Sequence, residues 1–101
     1  MIDGLPEWLL ARLDEDIEHA RWSGNALITH GAPSMNIPIE VAERRARLQV
    51  NAAEAQKTLF EKTVLPYLGT AGPTGRIAEQ QARLMASMHE GHEGYLDSWR
   101  P

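Results

Sequence analysis

The chain has no cysteine. Disulfides, thiolate nucleophiles and cysteine-based zinc sites are therefore excluded, and the composition suits a reducing compartment. Aromatic residues make up only 6% of the sequence, but three of them are tryptophans, Trp8, Trp22 and Trp99, and Trp8 lies on or beside the apolar stripe of the first helix, where core is the default. No apolar run approaches the roughly 20 residues that span a bilayer. The opening MIDGLPEWLLARLDED lacks the basic segment and small-residue cleavage site of a signal peptide, so a soluble, unprocessed, cytoplasmic protein is expected. A net charge of -4 gives no global attraction to nucleic acid or anionic lipid. A P-loop, a dinucleotide fingerprint and a Ser/His/Asp arrangement are also missing. No enzymatic activity and no cofactor is expected.

Helical periodicity, by contrast, is abundant. The 101 residues are the size of one domain and can bury a core without covalent staples. Residues 5–23 read as a first helix, with Pro6 in its first turn and Leu5, Leu9, Leu13, Ile17 and Ala20 at helical spacing. The segment GNALITHGAPSMNI, residues 24–37, reads as a break punctuated by Gly24, Gly31 and Pro33, with Asn36 available to cap the next helix. Residues 38–65 form a long central helix stopped at Pro66. Residues 75–89 form a third, in which Ile77, Gln81, Leu84 and Met88 alternate with Ala78, Ala82 and Met85. No segment shows sustained β alternation. The expected fold is all-α: a single-domain three-helix bundle with a long central helix and an extended C-terminal tail, residues 90–101.

The central helix is the most informative element. Wound at about 100° per residue, it carries two apolar sectors. Val41, Leu48, Ala52, Ala55 and Leu59 form the first; Ile39, Ala42, Ala46, Val50, Ala53, Phe60 and Val64 form the second. A helix apolar on two sides needs two partners, either two helices of its own chain or one of them and a second subunit.

Three stretches together resemble a known family: WLLARLDEDIEHARW, VAERRARLQVNA and the closing HEGHEGYLDSWRP. The family comprises small helical proteins of unknown function from actinobacteria and their phages. The positions that match are Trp8 through Asp16, Glu40 through Leu48, and His92, Tyr95, Trp99 and Pro101. The resemblance covers about half the chain, and the closing signature is its most specific part. It implies an actinobacterial or phage origin, hence a bacterial or infected host cell, and no particular activity. Relatives often carry a cysteine-containing stretch before the last helix; this chain has PYLGTAGPTG there, so no metal role transfers.

Four groups of residues are candidate sites. His89 and His92, with Glu90 and Glu93, offer zinc-ligating types and would make a metal-dependent hydrolase. Their spacing of three, with glycines between, departs from the metalloprotease pattern and suits a solvated helix end, so no metal is expected. Arg44, Arg45 and Arg47 could contact phosphates as a nucleic-acid-binding regulator. Glu40 and Glu43, each four residues before an arginine, instead suggest helix-supporting pairs on a solvated face. Asp14, Glu15, Asp16 and Glu18 form an acidic cluster without a visible basic or nucleophilic partner, which suits a charged surface. Tyr95, Leu96 and Trp99 either dock the tail in a helical groove or expose a partner-binding motif. Together with Val41, Leu48 and Leu59 they are the candidate partner-binding residues. The expected function is that of a non-enzymatic helical module acting through protein–protein contacts, with a host protein or with itself as a homodimer through the central helix.

Overall fold

The computed structural model describes residues 2–101, and every regular element among them is helical. Three long helices dominate, α1 (Leu5–Ala26), α3 (Ile39–Leu59) and α4 (Gly72–Ser87), with a single short turn of helix, α2 (Ala32–Met35). Contacts group the residues into two compact units: the chain up to Arg12 together with Lys57–Pro101, and Leu13–Gln56.

In the Leu13–Gln56 unit the segment expected to break the chain is helical. Winding continues from Ala26 through a π turn, Leu27–Gly31, into α2. Gly24 is buried inside a helix because a neighbour needs the space: a β-carbon there would lie 2.9 Å from that of Ala46 on α3. Pro33 follows closely on the π turn, and because it has no N–H to give to the continuing ladder it sits where the winding changes register. The true stop is Asn36, left-handed at φ 56°, with the Ile37 N–H donating to the Ala32 carbonyl at 2.9 Å. Asparagine tolerates that conformation, so Asn36 closes the preceding helix rather than capping the next. Leu13, Ile17, Ala32, Ala42 and Ala46 form this unit's buried core.

In the other unit, α3 passes at Phe60–Val64 into a second π turn and then a 3-10 turn, Leu65–Tyr67, that contains Pro66. Each π turn carries a threonine whose hydroxyl donates to the carbonyl four residues back, Thr29 to Asn25 and Thr63 to Leu59. Such back-bonding competes with the main-chain ladder and bends helices. α4 packs on this second π turn and on the 3-10 turn. Leu5, Leu9, Phe60, Val64, Ala78, Ala82, Met85, Ala86 and Trp99 make up the core here. The last twelve residues are not a free extension. They run through turns and end in a short helical turn, Asp97–Trp99, that rests on α4.

Candidate protein-interaction surfaces

The helix α4 is built inside out by side-chain size. Its period brings two stripes to the surface of one cylinder, and the smaller is the buried one. Gly75, Ala78, Ala82 and Ala86 are buried with Met85, while Ile77, Leu84 and Met88 are 59%, 49% and 64% exposed. The small stripe allows close approach to the turns beneath; at Gly75 a β-carbon would fall 1.8 Å from the Thr70 carbonyl oxygen. Beside the exposed stripe lie two shallow hollows. One, of about 220 Å³, is lined by Thr63, Tyr67, Thr74, Ile77, Ala78 and Gln81. The other, of about 210 Å³, is lined by Leu59, Thr63, Val64, Gln81, Leu84 and Met85. Thr63 and Gln81 border both, so the two form one apolar groove along α4. Leu59 and Tyr67, at its shoulder, are themselves about half exposed. The groove can grip apolar side chains and holds no charged group among its lining residues.

The two sectors of α3 meet different fates. Ala42, Ala46, Phe60 and Val64 of the second sector are buried, Val50 and Ala53 half-buried and Ile39 exposed, whereas Val41, Leu48, Ala52, Ala55 and Leu59 of the first are all exposed. Val41 and Leu48 stand 40% and 55% exposed. Among the first sector's side chains only Val41, Leu48 and Leu59 are large, and Arg45 falls on the same strip at helical spacing. Arg44, Arg45 and Arg47 are all exposed, spread over about 160° of the helix circumference at about 100° per residue. Among the described residues neither Glu40–Arg44 nor Glu43–Arg47 closes into an ion pair, so the expected supporting pairs are not made. Arg47 joins Arg21, Asn25, Glu43 and Asn51 around a cleft of about 470 Å³ whose lining includes Gly24 and Ala46. Arg21 is already held by Glu18 at 2.9 Å. The cleft mixes both signs of charge. Asp14, Glu15 and Glu18 are exposed and Asp16 half-buried.

Of the closing aromatics, Trp99 is turned inward rather than toward a partner, only 3% exposed. Its ring centroid lies 5.3 Å from that of Trp8 and 5.8 Å from that of Tyr95, the latter edge-on. Trp8 and Tyr95 complete the triangle at 5.7 Å. The Trp8 indole N–H donates to the Glu93 carbonyl at 3.0 Å, and Gly94 beside it has φ +90°, a conformation that glycine adopts without strain. The Arg83 guanidinium on α4 donates to the carbonyls of Ser98, at 2.7 Å, and Arg100, at 3.3 Å. Arg100 in turn donates to Glu90 at 2.7 Å and to Asp97 at 3.2 Å, and these bonds hold its pKa above the ordinary value. Leu96 stays about half exposed; the Tyr95 hydroxyl is buried without a hydrogen-bond partner.

His89 and His92 come together, ring centroids 5.8 Å apart, with the His89 Nδ1 atom 3.4 Å from the Met85 carbonyl. Among the described residues no three metal-ligating side chains gather. No helix among them is long and apolar enough to cross a membrane. The groove beside α4 is not evident from the sequence. Its signal is the alternation of Ile77, Leu84 and Met88 with alanines, but the larger stripe is the more natural choice for a core. No family model, curated protein or solved structure matches the chain.

Proposed function

We propose that the protein is a small non-enzymatic module that works through protein–protein contacts, cytoplasmic in a bacterium or in an infected host cell. One observation carries this reading: α4 buries its small residues in its own fold and keeps Ile77, Leu84 and Met88 outside, the first two lining an apolar groove. Single exposed apolar residues are ordinary, whereas a contiguous patch on a small domain marks a contact site. A groove flanked by anchors one and two helical turns apart suits the apolar face of a partner helix. The exposed sector of α3, with Val41 and Leu48, is a second and smaller surface. Actinobacterial or phage origin belongs to the same reading and rests on the three-part resemblance.

The test is site-specific photo-crosslinking in cells. A photoreactive side chain at Leu84 should give discrete protein adducts, and one at the exposed Glu54 should give few. Adducts at neither position, or adducts only to nucleic acid, would overturn the reading. Nucleic-acid binding through Arg44, Arg45 and Arg47 is the alternative. The angular spread of the three side chains and the net charge of -4 count against it.

A further inference from the structure

We propose that the cleft between α1 and α3 binds a free α-amino acid with an apolar side chain. The site is independent of the contact surface on α4, since every residue that lines it belongs to the Leu13–Gln56 unit. At about 470 Å³ it is larger than either hollow beside α4 and falls within the range of small-ligand sites.

Two rows of side chains wall the cleft. On α1, Arg21, Asn25 and Ile28 follow at spacings of four and three, and so share one face. On α3, Glu43, Arg47 and Asn51 follow at spacings of four. Gly24, Ala46 and Val50 complete the lining, and all three are apolar. The cleft thus combines a small apolar surface with polar groups that stand on both helices.

Charge decides the ligand. Glu43 and Arg47 are one helical turn apart, about 6 Å along the axis, yet neither side chain makes an ion pair among the described residues. Arg21 differs, because it already donates to Glu18 at 2.9 Å. The cleft therefore offers one uncommitted carboxylate next to one uncommitted guanidinium. A simple anion would meet Glu43 as a like charge, and a simple cation would meet Arg47. An uncharged apolar molecule would leave both unmatched. An α-amino acid carries an ammonium and a carboxylate on a single carbon, and so answers both. The ammonium donates to Glu43, and the carboxylate accepts from the planar fork of Arg47. The carboxamides of Asn25 and Asn51 donate and accept, so they serve either end. The ligand's side chain is left to Ile28, Ala46 and Val50. Because Glu43 and Arg47 are exposed to solvent, which screens them, dissociation should fall on the order of 1 mM.

Titration of the full isotope-labelled chain with L-phenylalanine, followed by NMR to about 20 mM, tests this. Amide shifts should saturate and concentrate in residues 21–28 and 43–51. N-acetyl-phenylalanine lacks the ammonium and phenylalanine amide lacks the carboxylate, and each should bind roughly fivefold more weakly. Arg47→Gln and Glu43→Gln should each weaken phenylalanine binding by roughly the same factor, with the melting temperature unchanged. Arg44→Gln, outside the cleft, should leave binding intact. Shifts that do not saturate, or that centre on α4, would overturn the proposal, as would equal binding of either analogue. An equal loss in Arg44→Gln would also overturn it, because it would mark a general effect of charge rather than a site.

Discussion

Replacing Trp99 with alanine should cost this fold several kcal/mol, although the residue is third from the C-terminus. The side chain is only 3% exposed and forms two of the three edges of the aromatic triangle with Trp8 and Tyr95. A tryptophan buries up to about 250 Å², worth about 6 kcal/mol at about 25 cal/mol per Å². Compaction of the unfolded chain and the methyl group that alanine retains bring this to about 3–5 kcal/mol, the range seen for Trp→Ala in cores. Loss of the ring also frees the segment whose Ser98 and Arg100 carbonyls accept from Arg83. For a domain of this size a deficit of about 3 kcal/mol lowers the melting temperature by about 15 °C. Far-UV circular dichroism on heating and in urea measures it, with Trp99→Phe as the conservative partner, expected to lose less than half as much. A melting temperature for Trp99→Ala within about 3 °C of the parent would refute the reasoning, and would make the closing residues an appended recognition element rather than part of the core.

Two further substitutions probe the same unit. Gly75→Ala places a methyl group against the Thr70 carbonyl, a fixed backbone atom, and should destabilise by about 1–3 kcal/mol despite the better helix propensity of alanine; an unchanged urea midpoint would mean that the 70–75 turn yields freely. Tyr95→Phe removes a buried hydroxyl without a hydrogen-bond partner and should leave the melting temperature unchanged or slightly raised. A drop of more than about 1 kcal/mol would show that the hydroxyl is bonded in solution.

The periodic parts of this fold were legible because one rule governs them. Leu5, Leu9, Leu13 and Ile17 recur every four residues, and all four are buried. Local punctuation misled where a tertiary contact decided. Gly24 reads as a break, yet it lies within α1 because Ala46 leaves no room for a β-carbon. Gly31 and Pro33 read the same way, yet one ends a π turn and the other opens the short helix after it. Asn36 has the chemistry of a cap at either end of a helix, and only the backbone shows that it closes one. The closing aromatics could be recognised as a unit, but not their main partner: Trp8 lies 85 residues before the Glu93 carbonyl it meets, a separation that no local pattern spans.

The two helices with double apolar stripes illustrate a limit of a different kind. In α3 and α4 the sequence marks both stripes, and hydrophobicity alone would bury the stripe with the larger side chains. Packing obeys volume as well as polarity: an interior must be filled without voids or overlap, so a helix close to its neighbours takes alanine and glycine. In α4 Gly75 leaves no room for a β-carbon beside the Thr70 carbonyl, and the buried stripe continues through Ala78, Ala82 and Ala86. The larger side chains are then displaced outward, where exposure costs solubility unless something covers them. That they remain Ile, Leu and Met, on a face whose flanks carry no charge, is difficult to reconcile with a surface meant only for water. A helix used only as a strut would gain solubility at no cost to its packing from glutamate or lysine at positions 77, 84 and 88. The exposed apolar residues at those three positions are the observation on which the proposed contact surface rests.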